Sequence, residues 1–261
     1  MAGSGMADDR MQPQRFEQKY RIDHEETALA IRDFVSSYLE VDEFGATLPN
    51  FSYPVHSLYL DSPGLQLYWD TINGTKNRYK LRLRYYENRP DAPVYFEIKR
   101  RMNNIIAKQR GGVKREAVEG LLAGQLPEPG HLVSRDPKHL VALQNFCRLM
   151  YQTQAKPKTH VAYYREAWSS PIDNSVRVTL DREVRSELEP AIWLSTEMRN
   201  PVFVFGTQII LELKFTNRFP TWFNDLVQHF GLMQCGAAKY VEGIAMIGVD
   251  RVMHGFAVEG T

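Results

Sequence analysis

Cysteine is scarce: Cys147 and Cys235 are the only two among 261 residues. They are too few for a disulfide framework or a cysteine-rich zinc site, and a reducing, cytoplasmic setting is the simpler expectation. Long apolar runs are missing as well. No stretch reaches the roughly 18 residues needed to cross a bilayer as a helix, so no membrane span is expected. Neither charge sign is in surplus, with 32 Lys+Arg against 31 Asp+Glu and a formal net charge of +1. That balance gives no general attraction to nucleic acid or to membrane surfaces, and no nucleic-acid partner is expected. His24, His56, His131, His139, His160, His229 and His254 fall at no metal-ligand spacing and read as structural or surface residues. Internal repeats and low-complexity segments are absent. The opening MAGSGMADDRMQPQ has no apolar signal core. Residues 1–13 are expected to be a tag and a disordered N-terminus, with Met1–Gly5 appended before a native Met6. A single domain is expected over 14–254.

What the chain does have is a core-forming composition, 43% hydrophobic and 11% aromatic, and an unusual ordering of its charges. In Asn77–Tyr86, NRYKLRLRYY, the cations Arg78, Lys80, Arg82 and Arg84 share one parity, while Tyr79, Leu81, Leu83 and Tyr85 share the other. Successive side chains of a strand point to opposite faces, so a strand here has one basic and one apolar face. Strands are expected at about 14–22, 53–61, 77–87, 93–101, 104–112, 158–168, 174–183 and 207–215, and most repeat that separation. Helices are expected at about 23–40, 64–72, 114–124, 136–154, 220–230 and 241–252.

The charged faces together collect fourteen bases: Arg15, Lys19, Arg21, Arg78, Lys80, Arg82, Arg84, Lys99, Arg101, Lys108, Arg110, Arg165, Arg177 and Lys214. The acids on those faces are five: Glu17, Asp61, Glu97, Asp181 and Glu212. Two architectures satisfy this segregation. One is an open antiparallel sheet with a wet face and a helix-covered face. The other is a barrel with helices outside and a charged interior, whose closure removes exposed edges. Two like charges about 4 Å apart cost on the order of 4 kcal/mol at an effective dielectric near 20. A cation-rich interior therefore calls for a ligand with closely spaced negative charges, such as polyphosphate or a nucleoside triphosphate. The minority acids serve either as internal ion-pair partners or as oxygen ligands for a divalent cation, with Glu212, Glu97 and Glu17 the candidates for the second role.

The ordered set Arg15-x-Glu17-x-Lys19-Tyr20, Ser57-Leu58-Tyr59-Leu60-Asp61, Arg78-x-Lys80-x-Arg82-x-Arg84-Tyr85, Glu97-x-Lys99, Lys108-x-Arg110, Tyr163-x-Arg165, Arg177-x-Thr179-x-Asp181, Glu212-x-Lys214 and Lys239-Tyr240 resembles the VTC domain. That is the polyphosphate polymerase catalytic domain within the triphosphate tunnel metalloenzyme, or CYTH-like, superfamily. The resemblance implies an α+β fold with an eight-stranded antiparallel closed tunnel barrel, a charged interior and helices packed outside. It implies transfer of the terminal phosphoryl group of ATP to a growing polyphosphate chain, with Mn²⁺ or Mg²⁺ as cofactor. Carried over position by position, Lys19, Arg82, Arg84, Lys99, Lys108, Arg165, Arg177 and Lys239 would contact phosphates, assisted by Tyr163. Glu212 would hold the metal, with Glu97 and Glu17 as further candidates, and Arg78, Lys80 and Lys214 would add to substrate binding. Where the family often places a small hydroxyl residue, this chain has Ala238. Hydrolytic members of the superfamily open with Glu-x-Glu-x-Lys; Arg15 here replaces the first Glu and favours the polymerase branch. The alternatives are a metal-dependent triphosphatase or tripolyphosphatase, and a non-catalytic polyphosphate-binding module. No SPX domain is expected beside the matched residues, an arrangement similar to a stand-alone prokaryotic version.

Overall fold

The alternating segments form strands, and the strands pair into one antiparallel sheet. The structure, a computed structural model, describes residues 15–103, 105–173, 175–216 and 218–254; the expectation for residues 1–13 lies outside them. In chain order the elements are β1 (Arg15–Ile22), α1 (Glu25–Ser36), β2 (Glu40–Val41), β3 (Ser52–Asp61), α2 (Gln66–Ile72), β4 (Asn77–Tyr85), β5 (Val94–Met102), β6 (Ile105–Val113), α3 (Val118–Leu122), α4 (Pro137–Gln152), β7 (Lys156–Ser169), β8 (Val176–Leu188), β9 (Val202–Phe203), β10 (Ile209–Thr216), α5 (Thr221–His229), α6 (Lys239–Ile247) and α7 (Val249–His254). Local chemistry sets several boundaries. The Asp136 carboxylate accepts the Lys138 N–H at 2.9 Å, and Pro137 fills the first helical position of α4. No described helix is long and apolar enough to cross a membrane.

The strand order is β2-β7-β3-β4-β5-β6-β1-β10-β8-β9, with a further pairing of β7 to β8. Ten strands replace the expected eight, because two-residue β2 and β9 add to β7 and β8. The sheet curls far enough for β7 and β8 to meet. The expected closed barrel is nevertheless corrected: among the described residues β1 and β6 share only the Arg15↔Ile106 pairing. The physical reason is the antiparallel register. From Arg15 onward β1 runs past the β5–β6 hairpin, so Glu17–Ile22 have no ladder pairing with β6 and pair with β10.

The outer face is apolar, as the parity requires. Leu58, Leu60, Leu81, Leu83, Tyr85, Phe96 and Ile98 pack with Leu121, Leu143, Phe146 and Met150 from α3 and α4. Tyr20, Ile22, Val178, Leu180, Leu211 and Leu213 pack with Ile31 and Val35 of α1 and Phe223 and Leu226 of α5. Gly111 permits the first contact, since a Cβ there would lie 2.8 Å from the His139 carbonyl oxygen in α4. The α1 helix is also tied down by ions: Arg32 grips Glu166 at 2.7 and 2.8 Å, and Glu166 accepts Arg182 at 2.8 Å.

One helix departs from the expected arrangement of helices packed outside. The α6 helix lies against the inner face of the sheet. Tyr240 stacks on Tyr59 with ring centroids 4.7 Å apart, and Tyr240, Val241, Ile244 and Ile247 cluster with Val55, Val161, Tyr163, Val184 and Ile210. These strand residues share the face of the cations, and α6 supplies the apolar cover they need. Gly243 allows the close approach, because a Cβ there would sit 2.6 Å from the Ser186 hydroxyl.

Asp61 has the lumen parity but a structural task. Its carboxylate accepts the N–H groups of Ser62, Leu67 and Tyr68 at 2.7, 2.9 and 2.9 Å, and the Tyr240 hydroxyl at 2.6 Å. Burial raises its pKa, opposed by those donors. It thus caps α2 and docks α6 at once. Asp61→Ala leaves buried donors unsatisfied and is expected to cost about 3 kcal/mol in equilibrium urea unfolding. A loss within experimental error would remove this anchoring role.

Candidate functional site

The inner face is a set of carboxylates, each surrounded by several cations. Register creates it. Arg82 pairs with Glu97 and Glu97 with Arg110, while one step along the ladder Lys80, Lys99 and Lys108 lie side by side. Across the sheet Lys19 pairs with Glu212 and Glu212 with Thr179. Because neighbouring strands present the same parity inward, charges scattered over the sequence converge.

Glu97, fully buried, forms the first centre. Its oxygens lie 2.6 Å from Arg82, 2.6 Å from Lys108, 3.4 Å from Arg110 and 3.9 Å from Arg84. Burial by itself would raise this carboxyl, but Arg82, Arg84 and Lys108 hold it well below the usual range. Glu212 forms the second centre, with Lys214 at 2.6 Å, Lys239 at 3.0 Å and Lys19 and Arg165 at 3.3 Å. Asp181 beside it takes Arg165 through two 2.7 Å bonds and Lys239 at 2.6 Å. Glu17 accepts Lys99 at 2.9 Å and Lys19 at 3.2 Å. Despite their burial, Glu212, Asp181 and Glu17 are held ionised by these cations.

Most of the sequence-predicted residues are brought together here: Lys19, Lys80, Arg82, Arg84, Lys99, Lys108, Tyr163, Arg165, Lys214 and Lys239, with Glu17, Glu97 and Glu212. Tyr163 contributes through its neighbours, its hydroxyl accepting Arg84 at 2.9 Å. Two residues are placed differently. Arg78 turns to the Thr75 carbonyl at 2.6 Å, and Arg177 binds Asp42 at 2.6 Å near one end of the sheet. Ala238, in place of a hydroxyl residue, offers its backbone N–H to Glu242 at 3.0 Å. Residues quoted in the motifs but given no role there also take part. The Tyr59 hydroxyl accepts Arg82 at 3.0 Å, Ser57 faces Arg84 at 3.4 Å, and Thr179 lies 3.3 Å from Glu212 and from Lys214. Their shared parity with the cations is a signal that could have found them. Asp42 follows a two-residue strand and carries no periodic signal.

The donor chemistry tests the expected metal. Among the described residues no group of three or more His, Cys, Asp or Glu side chains is placed to hold an ion, so no all-protein cage exists. Glu212 and Glu17 converge on one Lys19 ammonium, and such hard oxygens fit Mg²⁺ or Mn²⁺ where substrate phosphates complete the shell. Glu212 and Glu97 each meet four cations, but Glu97 stands alone: among the described residues Arg82, Arg84, Lys108 and Arg110 pair with no second carboxylate that could join it on an ion. Its chemistry is that of an internal counterion.

Fold and site thus define an α+β protein whose curled antiparallel sheet carries carboxylates ringed by cations on its inner face. The chain belongs to the VTC domain family, whose sequence model matches residues 14–247. Among curated proteins it is 23% identical over 223 residues to the vacuolar transporter chaperone complex subunit 2 of Schizosaccharomyces pombe, covering 73% of this chain and 30% of that protein's length. Solved structures to which the chain is similar include candidate adenylate cyclases from Bacillus halodurans and Vibrio parahaemolyticus. The first shows 14% identity, coverage of 86% of this chain and 94% of that one, and a TM-score of 0.47. The second shows 13% identity, coverage of 88% and 98%, and a TM-score of 0.43. Likenesses this weak carry neither activity nor detailed geometry across.

Proposed function

We propose that this domain is a polyphosphate polymerase, transferring the γ-phosphoryl group of ATP to a growing inorganic polyphosphate chain along its basic inner face. The observation that carries the reading is the surplus of cations around the carboxylates of Glu97, Glu212, Asp181 and Glu17. Several bases share each acid, so the interior lacks negative charge that a phosphate chain supplies. Family membership supports the substrate class, and two unpaired cysteines suit a cytoplasmic setting.

Phosphoryl transfer needs in-line positioning and neutralisation of charge more than covalent help from protein. Arg82, Arg84 and Arg165 offer planar forks to phosphate oxygens, Lys19, Lys99, Lys108 and Lys239 offer point charge, and Arg177, tied to Asp42, adds charge at one end of the sheet. Lys80 and Lys214 add to the field, while Tyr163 and Tyr59 fix the guanidinium groups they bind. A divalent cation, when bound, would neutralise charge on the phosphate oxygens, with Glu212 and Glu17 as the protein donors. The terminal oxygen of the acceptor chain attacks the γ-phosphorus, and the bond to the β-phosphate oxygen breaks as ADP leaves. The acceptor oxygen is already anionic, so no general base is required. The test is product analysis after incubation with ATP and Mn²⁺ or Mg²⁺. Chains resolved on a gel support the polymerase, orthophosphate alone supports the triphosphatase, and tight polyphosphate binding without turnover supports a scaffold module.

A pH dependence follows from Lys108. The Lys108 side chain is 42% exposed at its outer edge, but crowding by the surrounding protein, opposed by Glu97 and reinforced by Arg84 and Arg82, pushes its ammonium down to about 7. Below that pH the group is charged before and after phosphate binds. Above it the free protein carries a neutral amine, and a bound anion must draw a proton in. Tripolyphosphate affinity is therefore expected to fall as pH rises from about 7, by up to about tenfold per pH unit from this one group. Lys108→Arg keeps its charge and should flatten the profile; protonation of the ligand itself cancels in the comparison. Parallel profiles for the two proteins would remove Lys108 from the binding face.

A further inference from the structure

At the end of the sheet where β3 and β5 begin and β4 finishes, the inner face changes from charged to aromatic. Tyr53, Tyr86 and Tyr95 come from three neighbouring strand ends, and Phe44 joins them from the loop after β2. Their rings form a continuous arc: Phe44 to Tyr53 at 6.2 Å, Tyr53 to Tyr86 at 6.3 Å and Tyr86 to Tyr95 at 6.1 Å. The Arg110 guanidinium closes it, lying 3.4 Å from the centroid of the Tyr95 ring. The tyrosines are half-buried and Phe44 is 67% exposed. The α6 residue Tyr240 stacks on Tyr59, six residues along β3 from Tyr53, and Tyr53 and Tyr86 pack at the margin of the cluster that holds α6.

The arc sits directly beyond the phosphate-binding cations. Tyr95 pairs with Arg84 across β4 and β5. At about 3.3 Å per residue, Tyr86 lies roughly 7 Å past Arg84 and about 13 Å past Arg82 along the strand direction. Tyr53 feels the fields of Arg165 and Arg177 from the other side. Aromatic faces gain nothing from an inorganic phosphate chain, which has no π surface. A nucleoside triphosphate has one, at a single end of its triphosphate. Stacking on tyrosine and phenylalanine is tolerant of base identity because every base presents a π face.

We propose that Phe44, Tyr53, Tyr86 and Tyr95 form a collar that stacks the base of the donor nucleoside triphosphate while its phosphates lie on Arg84 and Arg82. The inference rests on the phosphate-binding function of the inner face. It assigns the donor to this end, and it makes the collar the feature that separates a nucleotide from an inorganic triphosphate.

The experiment measures binding of ATP, GTP and inorganic tripolyphosphate by calorimetry, with wild type, Phe44→Ala and Tyr86→Leu. Phe44 is largely exposed, so its removal spares the fold even where Tyr86→Leu does not; urea unfolding monitors both. The expected result is a loss of about tenfold or more in ATP and GTP affinity in the variants, similar for the two bases, with tripolyphosphate unchanged. Equal weakening of all three ligands, or no weakening of any, overturns the collar while leaving the phosphate site standing. Failure of the wild type to bind either nucleotide or tripolyphosphate overturns the phosphate site, and the collar with it.

Discussion

Glu212→Gln is expected to lower metal-dependent phosphoryl transfer by on the order of 100-fold or more while tripolyphosphate still binds. The substitution keeps the shape of the side chain and removes its charge. Lys19, Lys214, Lys239 and Arg165 stay in place, so the cationic face remains and attracts phosphate at least as strongly. What disappears is the carboxylate oxygen offered to a divalent cation. The distinguishing readout is the metal titration: the Mn²⁺ concentration giving half-maximal rate should rise in the variant. If Glu212 is only a counterion, the variant loses stability with no change in metal requirement, and its assignment as a metal donor fails.

Glu97→Gln should have the largest effect on stability. The carboxylate is fully buried and neutralises four bases, Arg82, Arg84, Lys108 and Arg110. Removing one partner of a buried ionic cluster leaves uncompensated charge and costs about 3–5 kcal/mol. Much of that loss should return when tripolyphosphate is added, because its oxygens replace the missing negative charge on the same cations. An anion at about 100 times its dissociation constant contributes about 2.7 kcal/mol by mass action alone. The variant, starting from a greater charge excess, should gain more than the wild type does. Urea midpoints of both proteins, with and without tripolyphosphate, measure the difference. An equal gain in the two proteins would mean that Glu97 supports the fold independently of any bound anion.

Much of the site was legible in the sequence because strand parity is a hard geometric rule. Once Arg82 and Arg84 point inward, the pairing of β4 with β5 places Glu97 and Lys99 on the same face. The long strands therefore appeared with the correct faces. Parity failed where the backbone leaves the regular pleat. In β8 Glu183 adopts φ 51°, and the register against β7 shifts between Ala162 and Tyr164. The alternation is interrupted there, and the strand continues to Leu188 beyond its expected end at 183. Two-residue β2 and β9 are too short to carry any period.

Other features depend on which layer an element joins, and a local pattern does not encode that. The apolar residues of α6 predict a buried helix equally well on either face of the sheet; Tyr59, Val161 and Ile210 on the inner face decide the matter. Asp61 shares the parity of the lumen acids, yet the turn into α2 aims three N–H groups at it and makes it a cap. Closure was likewise beyond reach. It hinges on β1 overrunning the β5–β6 hairpin, a matter of register between strands far apart in the chain.

The central claim is that this basic interior moves a phosphoryl group from a nucleotide onto a phosphate chain. The most direct measurement incubates the protein with γ-labelled ATP, Mn²⁺ and a short polyphosphate primer, then separates the products by length. The account predicts label in chains longer than the primer, one ADP for each phosphate added, and loss of both in Glu212→Gln. Label recovered only as orthophosphate, with the primer unextended, would contradict it.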